Sequence, residues 1–361
     1  MDAERSSPPS RPLLVVDDPD LLDELLRLAA TSGTEVDVAS DTVSARRWWR
    51  TAPFVVVAAG LVAAGGLHLP RRSGVALLGE SLDDAQVWQH GVAVGAERVV
   101  FLPESEEWLT ARFADAAEGA SGEAAVVAVV GGRGGAGATT LACALAVTAA
   151  RSGRSALLVD GDPLGGGIDL VFGGEADRGL RWPDLGATRG RVPAAALAQA
   201  LPQMNGLSVL SWDRGSASGV APEAMSAVLA AGRRAHDLVV VDLPRAPDDA
   251  GRLVLGAAAC VLLVVPAEVR AAAAASRVAA AVGLLCADLR VVVRGPAPGR
   301  LDAPSLAGAL GLPLAGHLRP EPGLEVDLER GEAPARRGRG PLADLCARLL
   351  EEVAPPVRAA A

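Results

Sequence analysis

Short apolar runs, each closed by a polar or small-residue break, recur along nearly the whole chain. The first covers residues 12–16 and stops at Asp17-Asp18; behind it, residues 21–30 carry apolar positions at helical spacing. Residues 34–38, 53–58, 74–78 and 98–102 predict further strands, separated by helix-sized stretches. Five strands alternating with helices over residues 12–117 predict a parallel, doubly wound sheet. A small, polar run at residues 118–124 reads as a linker.

A longer alternation follows. Strands are expected at residues 125–130, 155–159, 207–210, 238–241, 261–265, 290–293 and 314–318, with helix-like segments between most of them. Residues 341–353 predict a closing helix with Leu342, Leu345, Cys346, Leu349 and Leu350 on one face. A membrane-surface helix would carry basic residues beside that face, and Glu351 and Glu352 stand there instead, so the helix reads as docked. The expected fold class is α/β, with two doubly wound parallel-sheet domains at residues 12–117 and 125–354. A disordered leader (1–11) and a flexible tail (355–361) complete the expected organisation.

Composition narrows the picture. Hydrophobic residues make up 50% of the chain but aromatics only 3%, and Tyr is absent, so the cores must be filled by Ala, Val and Leu. A net charge of −9 argues against coating DNA by bulk electrostatics, and specific nucleic-acid binding is not expected. Arg336-Arg337-Gly338-Arg339 is a local exception, readable as a solvated loop or as a contact for nucleic acid or acidic lipid. The four Cys residues show no CxxC spacing and no metal pattern, and read as small buried hydrophobes in a reducing cytosol. The N-terminal residues lack the apolar core of a signal peptide. No apolar stretch reaches the ~20 residues of a membrane helix, so a cytoplasmic protein is expected.

The chemistry concentrates after the strand at 125–130. Gly131-Gly132-Arg133-Gly134-Gly135-Ala136-Gly137-Ala138-Thr139-Thr140 spells a phosphate-binding loop leading into a helix, and its glycines let backbone N–H groups converge on an anion. A Lys normally precedes the Thr pair to reach the β- and γ-phosphates. Here that position is Ala138, and no other Lys can substitute, because all 34 basic residues are Arg. Thr139 sits where a hydroxyl would ligate Mg²⁺. Asp160 and Asp162 follow the next strand, Asp162 as a candidate to orient an attacking water and Asp160 as a candidate metal ligand. Residues 238–241 lead to Asp242, as in a strand that supports Mg²⁺. Taken singly, each Asp also fits a turn or helix cap. The spacing of Gly132, Gly134 and Gly137, with Asp160 beyond, fits a dinucleotide fingerprint too, but that fold does not ask for Thr139, Thr140, Asp162 or Asp242.

These motifs resemble the MinD/ParA family. Residues 132–140 are similar to its deviant Walker A loop, KGGxGKTT; Asp160-Gly161-Asp162-Pro163 to its switch I; residues 239–244 to its Walker B strand; and residues 264–268 to its later strand and loop. The resemblance implies ATP and Mg²⁺ as cofactors, held by Gly132, Arg133, Gly134, Gly135, Ala136, Gly137, Ala138, Thr139 and Thr140, with Thr139, Asp160 and Asp242 at the metal. It also implies a nucleotide-sandwiched homodimer. Arg133 stands for the family's signature Lys, which reaches across the dimer, and residues 291–296 lack its adenine-reading Asn. The expectation is therefore weak or absent ATPase activity, the alternative being a working ATP-dependent dimerisation switch that uses Arg133.

The front domain resembles a response-regulator receiver, through Asp17-Asp18 after the first strand. Ala58-Ala59 occupies the place of the phosphoacceptor Asp, and Phe101-Leu102-Pro103 that of the receiver's Lys-Pro. Phosphorylation there is not expected, and Asp17-Asp18 reads as a helix N-cap. The two-domain arrangement is similar to CpaE-like proteins, and the doubly degenerate version to the actinobacterial CpaE-like or septum site-determining group. That resemblance implies a cytoplasmic spatial regulator with peripheral membrane association, partnered by division proteins or by Tad-type pilus or secretion machinery.

Overall fold

In a computed structural model, strands buried on both faces organise both halves of the chain. The structure describes residues 11–63, 70–72, 74–81, 84–117, 124–186, 191–215 and 219–354. The expected leader, tail and all of the linker but Ala124 lie outside the described residues, apart from Arg11. The chain divides into two units, Met1–Ser121 and Gly122–Ala361.

In the first unit, strands β1 (Leu13–Val15), β2 (Asp37–Ala39), β3 (Val55–Ala58), β4 (Val75–Leu78) and β5 (Arg98–Val100) form a parallel sheet in the order β2-β1-β3-β4-β5. Leu13, Val15, Val55 and Val57 pack on one face with Trp49. Leu14, Val16 and Val56 pack on the other with Phe54 and Phe113. Successive residues of a strand point to opposite faces, and helices cover both. β2 begins later than expected because the Thr34 N–H donates to the Ala29 carbonyl at 2.9 Å, which keeps that residue tied to the preceding helix end. β5 stops early because the Phe101 N–H donates to Ser105 Oγ at 3.2 Å, which opens a turn. Asp18 caps the Pro19–Thr31 helix, accepting from the N–H groups of Asp20 and Leu21 at 2.8 and 3.2 Å.

The second unit carries β6 (Ala125–Gly131), β7 (Ala156–Asp160), β8 (Gln203–Met204), β9 (Leu207–Leu210), β10 (Leu238–Leu243), β11 (Cys260–Pro266), β12 (Leu289–Arg294) and β13 (Leu314–Leu318). Their order is β13-β12-β11-β6-β10-β7-β9-β8, all parallel except the β8–β9 pair. Sequence periodicity missed β8. Its hairpin turns on Asn205 and Gly206, both at positive φ (52° and 82°), the geometry that an Asn-Gly pair favours. Strand order reverses at β6, and the carboxyl ends of β6, β10 and β11 beside that switch are the usual ligand position in such sheets.

One face of this sheet is covered by the Ala138–Arg151 helix, whose small residues Ala142, Cys143, Ala144 and Ala146 are fully buried. The Pro341–Val353 helix packs there too, burying Leu342, Leu345, Cys346, Leu349 and Leu350. Cys143, Cys260 and Cys346 are buried, whereas Cys286 is half-buried, its thiol 3.4 Å from the Val282 carbonyl. In the basic loop, Arg336 pairs with Glu332 and Arg337 lies 3.4 Å from Asp327, so local acids match two of its charges. Among the described residues, no helix is long and apolar enough to cross a membrane.

Candidate phosphate-loop site

The loop after β6 is shaped by close approach on one side and open space on the other. Gly132 donates its N–H to the Val264 carbonyl at 2.9 Å, and a Cβ there would sit 2.8 Å from the Ala275 Cβ. Gly135 and Gly137 adopt left-handed φ values of 68° and 94°, which a residue with a Cβ takes up only with strain. Gly137 is the N-cap of the Ala138–Arg151 helix and supplies no side chain to its first N–H groups. Those donors and the helix dipole point at the same spot, the arrangement that binds anions. Ala138 adds only a methyl group.

Two acids and one hydroxyl close the site. Thr139 Oγ1 donates to Asp242 Oδ2 at 2.6 Å. Asp242 on β10 is in register with Asp160 on β7, which places the two buried carboxyl groups side by side. Asp160 accepts from the N–H of Ile168 at 3.0 Å, the N–H of Asp162 at 3.2 Å and Ser211 Oγ at 3.0 Å. Burial pushes the Asp160 carboxyl up to about 6, against those hydrogen bonds. Asp242 is pushed up to about 7, first by burial and then by the charges of Asp160 and Asp162, against the Thr139 hydrogen bond. Burial thus raises both carboxyl groups above the ordinary carboxylate range, and their titrations are coupled. Asp162, the candidate water-orienting residue, directs Oδ1 to the N–H of Leu164 at 3.0 Å and so caps its own turn. Among the described residues, no group of three His, Cys, Asp or Glu side chains has metal-binding geometry. A cation here would need phosphate oxygens or water to complete its shell, as Mg²⁺ usually does.

Several neighbours were not legible beforehand. Arg133 Nη2 lies 3.0 Å from Glu268 Oε1, and its Nη1 donates to the Gly134 carbonyl at 3.2 Å. Trp182 Nε1 donates to the Asp160 backbone carbonyl at 2.6 Å and packs against Trp212, with ring centroids 6.1 Å apart. Buried Asp169 pairs with Arg214 at 2.8 Å, beside Ser211. Arg294, at the end of β12, brings its guanidinium against Gly137. Arg133, Glu268 and Arg294 stand in the motif segments, whereas Ser211, Asp169 and Trp182 carry no local signal.

Comparison with known proteins agrees with this architecture. Residues 15–124 match the family described as Rv3660c-like, CheY-like N-terminal domain. The uncharacterized protein Rv3660c of Mycobacterium tuberculosis is 43% identical over 336 residues, covering 92% of this chain and 95% of its own. The cell division ATPase MinD of Pyrococcus furiosus superposes with a TM-score of 0.54 at 19% identity, over 63% of this chain and 98% of its own. The MinC:MinD cell division protein complex of Aquifex aeolicus gives a TM-score of 0.52 at 24% identity, over 65% of this chain and 99% of its own. Those two likenesses establish the fold of the second unit.

Proposed function

The chain belongs to the Rv3660c-like family, with a CheY-like N-terminal domain ahead of a domain of MinD/ParA fold, and from there we propose that it is a regulatory scaffold whose phosphate loop binds ATP and Mg²⁺ with little or no hydrolysis. The observation that carries this reading is the 2.6 Å Thr139–Asp242 hydrogen bond standing one residue from Ala138. The parts that would hold a metal-bound phosphate are assembled, and the side chain that would neutralise charge developing during transfer is a methyl group. The residues fit the group. Backbone N–H groups from Gly134 to Thr140 would take the phosphates, and Thr139 with Asp242 would hold Mg²⁺ directly or through water. Bound Mg²⁺ would neutralise phosphate charge. Loss of one donor that strengthens in the transition state costs roughly 100- to 1000-fold in rate. The chain would thus keep its ligand and present a lasting bound state to a partner.

In the cell, the reading is a cytoplasmic spatial regulator acting at septum placement or in Tad-type pilus or secretion assembly. Its partner is a protein of that machinery, and contact with the membrane is peripheral. The MinC:MinD complex among the structural relatives supports a protein partner. Calorimetry of ATP–Mg²⁺ on the full chain, with Asp242→Ala beside it and phosphate release measured in parallel, tests the proposal. Binding that Asp242→Ala abolishes, with release at background, supports it. No binding at millimolar nucleotide leaves a scaffold that works through partners alone, and steady release makes the chain a working ATPase switch.

A further inference from the structure

Resting on the reading of the loop as a phosphate site, we infer that Arg294 is a phosphate-binding cation of that site, adding from β12 a charge for anion binding while the position of Ala138 stays uncharged. A Cβ built on Gly137 would lie 3.2 Å from Arg294 Nη1, 3.5 Å from its Cδ and 4.0 Å from its Cζ. The side chain therefore lies across the glycine that opens the Ala138–Arg151 helix. β12 lies between β11 and β13, with Arg294 paired to Pro266 and Leu318, so strand pairing on both sides holds its backbone.

Uncapped N–H groups and the helix dipole already create positive potential at Gly137. Arg294 adds a full charge there, forms no ion pair with another described residue, and buries its Nε without a hydrogen-bond partner. Three other arginines of this unit, Arg133, Arg214 and Arg290, meet carboxylates at Glu268, Asp169 and Asp288. A cation beside the positive end of a helix is unfavourable unless an anion joins them. A di- or triphosphate has the required charge and acceptor oxygens. A planar guanidinium fork can grip two of those oxygens through two parallel N–H donors.

The test is calorimetric titration of the full chain with ATP–Mg²⁺ and, separately, with Mg²⁺–pyrophosphate. Arg294→Ala should weaken both roughly tenfold to a hundredfold, while Arg252→Ala, a remote surface change, leaves them unaltered. Arg294→Lys should fall between, and the double variant Ala138→Lys/Arg294→Ala should regain affinity, because it returns the charge from the helix side. Melting temperatures without ligand control for folding. If wild type binds and Arg294→Ala binds equally well, the assignment is overturned and the phosphate loop stands. Affinity lost only with a lowered melting point, and not rescued by Ala138→Lys, also overturns it. If wild type binds neither probe, the phosphate reading itself fails and takes Arg294 with it.

Discussion

Arg133 and Glu268 form an ion pair within one chain, Nη2 to Oε1 at 3.0 Å. A role for Arg133 across a dimer requires this pair to open first. Both side chains are about one-third exposed (34% and 41%), and such pairs are worth roughly 0–1 kcal/mol, so opening is cheap. Glu268→Gln should therefore promote dimerisation in ATP–Mg²⁺, read as a shift in sedimentation coefficient. A variant that stays monomeric with nucleotide bound would remove Arg133 from any contact in trans.

The carboxyl pair predicts an inverted pH dependence. Asp160 is pushed up to about 6 and Asp242 to about 7 by burial, so the folded chain holds protons that the unfolded chain has already released. The sign follows from linkage: the contribution of this pair to stability is greatest below the ordinary carboxyl range and falls as pH rises from about 4 to about 7. Asp242→Asn keeps an acceptor for Thr139 and removes the ionisation. It should melt higher than wild type near neutrality, by a margin on the order of 3 kcal/mol or less, and the margin should narrow toward about pH 4. A variant less stable than wild type across the whole range would contradict this account.

Asp18 is a structural cap in the front domain. Replacing it by Ala should destabilise that unit by about 1 kcal/mol, measured by chemical denaturation. Incubation of the full chain with acetyl phosphate should add no mass, because Ala58 and Ala59 stand at the end of β3, where an acceptor carboxylate would be needed. A phosphorylated species of any stoichiometry in the intact mass spectrum would refute this.

Trp182 offers a built-in reporter. Its indole N–H holds the Asp160 carbonyl at 2.6 Å while its ring meets Trp212. Any rearrangement of the segment from Asp160 to Ile168 should change tryptophan emission, and Trp182→Phe should remove most of that change. Emission that responds equally in the variant would place the movement elsewhere.

Much of the fold was legible because the strands are buried on both faces and end at polar residues. The runs at 207–210, 314–318 and 341–353 coincide with β9, β13 and the closing helix. β8 was hidden by its two-residue length, although Asn205-Gly206 signalled the hairpin. At the site, the contiguous loop and the acids ending β7 and β10 could be read from local spacing. Arg294 could not. Residues 291–296 read as the loss of an Asn, and only the folded chain shows Arg294 lying beside Gly137. Ser211 reaches Asp160 through β9 in the same way. Side chains brought together by strand order leave no trace in periodicity.

β8 also bears on how copies of this chain can join. A long bare strand at the rim of a sheet is a template on which another chain can lay its own backbone. Here the rim is two residues long, runs against its neighbour, and turns back at once through Asn205-Gly206. Growth by strand addition on that side has almost nothing to grip. Arrays built from this chain would have to meet there through side-chain surfaces, which can be released and remade.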